Sequence, residues 1–578
     1  MFRLLKMMKP YRKECILAPL FKMLEAFFEL LVPLVVADII DNGIRPGDRS
    51  RILIGAGLMA ALAVIGLMCS ITAQYFSARA AVGFSSKVRF RLFHHIEGLS
   101  YTETDRIGTS TMITRLSSDL NQVQTGVNLT LRLLLRSPFI VFGAMIMAFT
   151  IDRTSAMTFL VTIPVLSVIV FGIMLISIPL YKRTQAGLDR VLGVTRENLT
   201  GVRVIRAFGL EERETERFSA ANRNHTRLQR FVGRFSALMN PLTYAVVNFA
   251  VIALIYIGAF RVNDGAISQG DLVALYNYMT QILVELIKLA SLIISITKAV
   301  ACGNRIEAVL EIPAEDTSSR DLPAEPTSET DKGSVTFDAV SFRYAGAAED
   351  SLSDISFSVR GGETIGIIGG TGSGKSSLVH LIPRFYDARE GRILVDGRDI
   401  RSFTKDELRS EIGIVPQKAV LFRGTIRSNL LFGNGDATDE ELWAALEAAQ
   451  AADFVRDKDG MLDATVEQNG RNFSGGQRQR LTIARALVRK PKILILDDSS
   501  SALDYATDAN LRRAIHALPY SPTLFIVSQR TASLSAADKI LVLEDGRSVG
   551  LGTHEELLRD SETYLEIHRS QFGKEENV

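Results

Sequence analysis

Residues 369–377 read GGTGSGKSS and residues 493–504 read ILILDDSSSALD. The first stretch follows the strand-like TIGII and precedes the helical SLVHLI, the setting that a G-x-x-x-x-G-K-S phosphate loop requires. Its glycines let backbone N–H groups turn inward onto phosphate oxygens, so Gly369, Thr371, Gly372, Ser373, Gly374 and Ser377 form the expected cradle. Lys375 is expected to meet the β and γ phosphates, and Ser376 to ligand Mg²⁺. ILIL reads as a strand buried on both faces, with Asp497 at its carboxyl end, where it can hold the same Mg²⁺ through water. Two aspartates in succession, Asp497 and Asp498, pose the harder question.

These stretches need an α/β scaffold, and the second half of the chain supplies the pattern: short apolar strands alternating with helical segments from 334 to 578. Residues 312–333, rich in Pro, Ser, Thr and acids with little to bury, read as a linker. A chain of 578 residues exceeds one ordinary core. Its net charge of +2 argues against a nucleic-acid binder. Cys15, Cys69 and Cys302 lie far apart with no CxxC spacing, so they suggest neither a disulfide framework nor a zinc site and read as packing residues.

The first half, 1–311, is a different material. Six apolar segments, approximately 15–40, 51–76, 134–151, 156–181, 237–260 and 270–298, are long enough to cross a hydrocarbon core. The connections after spans two and four are long and basic, with Lys87, Arg89, Arg91, Lys182, Arg183 and Arg203 among their charges. By the positive-inside rule they face the cytoplasm, as do the basic amino terminus, the carboxyl terminus and the nucleotide domain. That terminus resembles a secretion signal, but its apolar stretch is too long and it reads as a retained span. Glu25 and Glu29 in the first span, and Glu285 and Lys288 in the sixth, must face other helices or a wet cavity. Glu285 and Lys288, three apart, suit an ion pair; Glu29, Glu285 and Lys288 are also candidates to line a substrate cavity.

Between the phosphate loop and ILILDD lies NFSGGQRQRL, 472–481. Phe473, Ser474, Gly475, Gly476 and Gln477 resemble the signature of ABC transporter ATPases. GTSTMITRLSSD (108–119) and ENLTGVRVIRAFGLEE (197–212) are similar to the cytoplasmic loops by which exporter-type membrane domains grip the nucleotide domains. The resemblance spans nearly the whole chain and implies an exporter-type half-transporter, multidrug- or lipid-exporter-like: an all-α six-helix transmembrane domain followed by an α/β P-loop ATPase domain. It further implies ATP and Mg²⁺ as ligands, Tyr344 stacking on adenine, Gln417 as the Q-loop residue touching metal and water, and Asp504 as the D-loop aspartate. Two such chains build a transporter, each nucleotide lying between one chain's phosphate loop and the other chain's signature.

Against that family pattern two positions depart. The residue after the Mg²⁺ aspartate is ordinarily Glu; Asp498 is one methylene shorter. In LFIVSQRTASL (524–534) the switch position, ordinarily His, is Gln529, an amide that donates a hydrogen bond but carries no charge. Both changes strike the γ-phosphate side and spare binding. The sequence therefore predicts the slow-site subunit of a heterodimeric exporter in a prokaryotic plasma membrane, moving a small amphipathic or hydrophobic molecule among membrane lipids. Its partner is expected to carry the Glu and the His. Other readings of the same residues are a homodimeric exporter or lipid flippase, an ATP-gated regulatory or channel subunit, and an importer of metal chelates.

Overall fold

The computed structural model describes residues 1–315 and 332–572, so all but the ends of the 312–333 linker lie outside the described residues. The chain divides into two compact units, Met1–Glu97 with Thr109–Ile312, and Gly98–Gly108 with Pro313–Val578.

The first unit is helical, as lipid demands of a chain that must satisfy its own backbone hydrogen bonds. Five helical stretches among the described residues are long and apolar enough to cross a membrane: Arg49–Glu97, Thr109–Ile151, Arg153–Thr200, Glu211–Asn263 and Gln269–Leu310. The helix Arg12–Ile39, which carries Lys22, Glu25 and Glu29, is the plausible sixth. Their starts are written locally. Asp152 accepts from the Ser155 N–H at 2.9 Å, and Ser268 and Asp271 cap Gln269–Leu310 reciprocally. The basic connections expected as loops are largely helix. Arg49–Glu97 runs 49 residues and so extends about 73 Å, more than twice the thickness of a hydrocarbon core. Once a helix leaves the membrane, each further residue adds one backbone hydrogen bond, so a polar sequence of ordinary helix formers keeps propagating it past a single glycine such as Gly83.

Charge in the first span falls in two places: Lys22 donates to Glu25 at 2.6 Å and to Ser70 at 3.1 Å, and Glu29 joins a longer chain of contacts around Arg136. The guanidinium of Arg136, on helix Arg136–Ile151, donates to Glu29 at 2.6 Å and to Glu285 at 2.7 Å. The Ser137 hydroxyl donates to the other oxygen of Glu285 at 2.8 Å, and Lys288 donates to Glu285 at 2.8 Å. The Glu285–Lys288 pair is therefore present, but the sequence reading missed Arg136, which ties three helices together. Glu285 and Arg136 are 3% and 7% exposed, so removing either leaves the other's charge buried. Arg136→Leu is expected to destabilise the unit by about 3–5 kcal/mol. Arg136→Leu with Glu285→Leu should recover at least half of the lost melting temperature, read by thermal unfolding in detergent. A wild-type melting temperature for Arg136→Leu alone would remove the network from the folding energetics.

The second unit holds twelve strands among the described residues: β1 Val335–Phe342, β2 Leu352–Val359, β3 Thr364–Gly369, β4 Glu390–Val395, β5 Arg398–Asp399, β6 Ile412–Val415, β7 Gly424–Thr425, β8 Thr465–Val466, β9 Ile493–Asp497, β10 Thr523–Val527, β11 Lys539–Glu544 and β12 Arg547–Gly552. The main sheet has the order β12-β11-β3-β10-β9-β6, parallel throughout except for β12. The inner strands β3, β9 and β10 are buried on both faces, whereas the edge strand β12 is largely exposed, and alternate side chains of the inner strands feed two cores. Ile493 and Ile495 enter one with Phe525 and Val527; Leu494 and Leu496 enter the other with Leu524 and Ile526. A separate antiparallel sheet, β2-β1-β4-β5, adds to the largely parallel sheet that the sequence predicted.

Candidate nucleotide site

Because β10 lies between β3 and β9, with β6 beyond, four loops leave neighbouring carboxyl ends at one edge of the sheet, where open α/β sheets hold ligands. They carry the phosphate loop after β3, Asp497 and Asp498 at the end of β9, Gln529 after β10, and Gln417 after β6.

The phosphate loop turns on Gly374, whose φ of +94° is left-handed and whose added Cβ would meet the Ser351 carbonyl at 2.7 Å. Ser373 and Ser377 are buried and Thr371 is exposed on the turn. Lys375 curls over the loop, donating to the carbonyls of Gly369 at 2.9 Å and Gly370 at 2.6 Å. Burial pulls its ammonium below the ordinary lysine range, against the opposing pull of Asp498 and Asp497. The Ser376 hydroxyl donates to Asp497 at 2.9 Å. Asp497 is 2% exposed, and burial pushes its carboxyl above the usual range. A buried carboxylate beside a serine hydroxyl is a hard, oxygen-rich pair short of positive charge, which fits Mg²⁺.

A residue that the sequence reading overlooked stands here. His380, five positions after Lys375, places Nε2 at 3.6 Å from Asp497, and burial holds its ring below the ordinary histidine range against the opposing pull of that carboxylate. It belongs to the helix Lys375–Leu381, beside the candidate Mg²⁺ ligands and outside the switch segment where the family pattern places its histidine.

Asp498 has φ +45°, a left-handed conformation that Asp tolerates better than most side chains. Its N–H donates to the Val527 carbonyl at 3.0 Å, and its carboxylate accepts from Gln417 at 3.2 Å. Gln529 has an exposed side chain, and its carbonyl accepts from Gln571 at 2.7 Å. Tyr344 hydrogen-bonds Ser377 at 3.0 Å and packs edge-on against Tyr386, the ring centroids 5.2 Å apart. With Gly372, Gly374, Lys375, Ser376 and Ser377 it lines a cleft of about 910 Å³.

The structure does not bring the signature into this cleft. Ser474 caps the helix Gly475–Val488 in a reciprocal box with Gln477, and Ser474 and Gly475 are exposed, with Gly476 half-buried. Asp504 caps the helix Tyr505–His516, accepting from Thr507 N–H at 2.9 Å and Thr507 Oγ at 2.8 Å. In the first unit, Glu29, Glu285 and Lys288 meet around a cavity of about 380 Å³ with Pro33, Gln281 and Val284. On the reading that Tyr344 stacks on the base, Tyr344→Ala should weaken nucleotide binding by about 1–3 kcal/mol, or about 5- to 150-fold in Kd. Tyr344→Trp should restore it. Equilibrium titration with a fluorescent ATP analogue reads both, and unchanged affinity for Tyr344→Ala would take the ring out of the site.

Residues 15–286 match the family model for the ABC transporter transmembrane region, and residues 352–501 match that for the ABC transporter. An uncharacterized ABC transporter ATP-binding protein of Mycobacterium tuberculosis (strain CDC 1551 / Oshkosh) is 38% identical over 97% of each chain. The ATP-dependent lipid A-core flippase of Hahella chejuensis is 30% identical over 99% of this chain and 97% of its own. Among solved structures, a bacterial Atm1-family ABC exporter with ATP bound superimposes with a TM-score of 0.79 at 25% identity, covering 98% of this chain and 99% of that one. The chain thus belongs to the ABC transporter family, as an exporter-type, ATP-hydrolysing translocase that joins a membrane-spanning domain to its ATPase domain in one polypeptide.

Proposed function

We propose that this chain is the slow-site half of a heterodimeric exporter in the bacterial inner membrane, with both termini and the ATPase domain in the cytoplasm. The observation that carries the reading is the pairing of an intact phosphate cradle with Asp498 and Gln529, where a longer acid and a histidine would serve hydrolysis. Asp498 is tethered to Gln417, and its carboxylate stops about 1.5 Å short of where a glutamate would reach; misplacement near 1 Å can cost about a hundredfold in rate. Gln529 can hydrogen-bond a γ-phosphate but cannot neutralise its developing charge.

In this reading Tyr344 takes the adenine, the 369–377 loop and Lys375 take the phosphates, and Ser376, Asp497 and Gln417 hold the metal. Mg²⁺, when bound, bridges phosphate oxygens and offsets their charge. Ser474 to Gln477 and Asp504, which do not line their own chain's cleft, complete the partner's site. Domain closure on ATP turns the transmembrane cavity outward, and hydrolysis at the partner's site resets it. The substrate is a small amphipathic or hydrophobic molecule. Glu285 already accepts from Arg136, Ser137 and Lys288, so the ends offered to a substrate are Glu29 and Lys288, 41% and 45% exposed.

The crossed geometry makes a sharp comparison. Lys375→Ala damages the slow site and should leave part of the steady-state ATPase activity. Ser474→Arg damages the partner's competent site and should lower activity by about 100-fold or more, roughly 2.7 kcal/mol in the barrier. If Lys375→Ala proves at least as damaging under saturating ATP, the chain works as a symmetric homodimer.

Restoration is a second test. Asp498→Glu with Gln529→His should raise turnover at this chain's own site by about tenfold or more, measured with the other site inactivated. No gain opposite an intact partner signature would refute this account of the defect.

A further inference from the structure

The segment that carries Gln529 is held by the last helix of the described chain, Glu562–Phe572. Tyr564, His568 and Gln571 recur at i, i+4 and i+7, one face of that helix. Tyr564 is fully buried in the domain core and its hydroxyl lies 2.6 Å from His554 Nδ1, which anchors the helix. Four and seven residues further on, the same face reaches the switch segment. Gln571 Oε1 accepts from the Thr531 N–H at 2.9 Å and from the Thr531 hydroxyl at 3.1 Å, while Gln571 Nε2 donates to the Gln529 carbonyl at 2.7 Å.

Those contacts admit one orientation of the amide, because a backbone N–H can only donate and a carbonyl can only accept. His568 Nδ1 lies 3.1 Å from the same Thr531 oxygen, and with that hydroxyl donating to Gln571, a ring protonated at Nδ1 donates to it. Thr531 itself is completely buried. From the other side, Ser533 donates to Asp508 at 3.1 Å and its carbonyl accepts from Arg512 at 2.8 Å. The loop is therefore clamped at Ser533 by one helix and across Gln529 to Thr531 by another, which leaves the Gln529 side chain exposed while its peptide is fixed.

We propose that Gln571 is a positioning residue for the nucleotide site: it fixes the backbone at Gln529 and Thr531, and through it the place from which the residue-529 side chain meets the γ-phosphate. The C-terminal helix is thereby part of the hydrolytic apparatus. This rests on the reading that residue 529 faces the γ-phosphate, and holds for a homodimer or a heterodimer because every contact lies within one chain.

The test uses the full-length transporter in detergent. Photolabelling with α-labelled 8-azido-ATP, followed by the ADP fraction recovered on this chain, reads turnover at its own loop whatever the partner does. Gln571→Leu should slow conversion at least about fivefold, with half-saturation of labelling within about twofold of wild type, because the loop that binds phosphate is untouched. Amide exchange at Thr531 should quicken by about tenfold or more at an unchanged melting temperature. A chain ending at Ser570 should behave alike. Gln529→Ala should also slow conversion, and the double variant should be no slower than Gln529→Ala alone, as expected of groups acting through one another. Wild-type conversion or unchanged Thr531 exchange in Gln571→Leu overturns the proposal, as does additive slowing in the double variant. Slowing by Gln571→Leu without any by Gln529→Ala would instead overturn the γ-phosphate reading of residue 529, and this proposal with it.

Discussion

Strand β10 hydrogen-bonds in parallel to β3 on one side and β9 on the other, with Val527 opposite Ile367 in one pairing and Asp497 in the other. That double register sets the depth at which three loops emerge. The Asp498 N–H closes onto the Val527 carbonyl and the Ser528 N–H onto the Ile367 carbonyl, so the turns after β9 and β10 are pinned to the neighbouring strand's end. Slipping β10 by one residue would exchange Leu524 and Ile526 with Phe525 and Val527 between the two cores. The geometry around Asp497 thus depends on apolar packing below it.

On that foundation the site is strongest in binding. Lys375, Ser376 and Asp497 are buried or half-buried and mutually hydrogen-bonded or charge-coupled. Burial lifts the Asp497 carboxyl and depresses the Lys375 ammonium, as desolvation does to both signs of charge. Asp498 and Gln529 differ in kind. They lie further out, on turns whose backbones are well held but whose side chains are short or uncharged, and our reading of a slow site comes from that contrast.

The membrane unit follows another rule, the cost of charge in lipid. Its answer is to bring Glu29, Arg136, Glu285 and Lys288 into one nearly neutral string across three helices, with the charged middle buried and the two ends open to a cavity. Packing there relies on small residues as well: a Cβ on Gly126 would collide with Ala299, and one on Gly270 with the Ala37 carbonyl.

Several of these features are local in origin and were legible in the chain itself. A phosphate loop needs only its glycines, a strand before and a helix after; a span needs only length and apolarity; the caps at Ser474 and Asp504 need a residue and its neighbour three positions on. Six spans, an ATPase domain and the family could therefore be read directly, as could the departures at Asp498 and Gln529. What folding decided is which distant side chains meet. Arg136 finds Glu285 across 149 residues, Gln571 finds Gln529 across 42, and His380 comes to rest beside Asp497. No period or motif encodes these pairings, since each is set by the register of strands and the rotation of helices against a shared core. An isolated Arg in an apolar run, or a Gln near a carboxyl terminus, carries no sign of its partner until that packing exists.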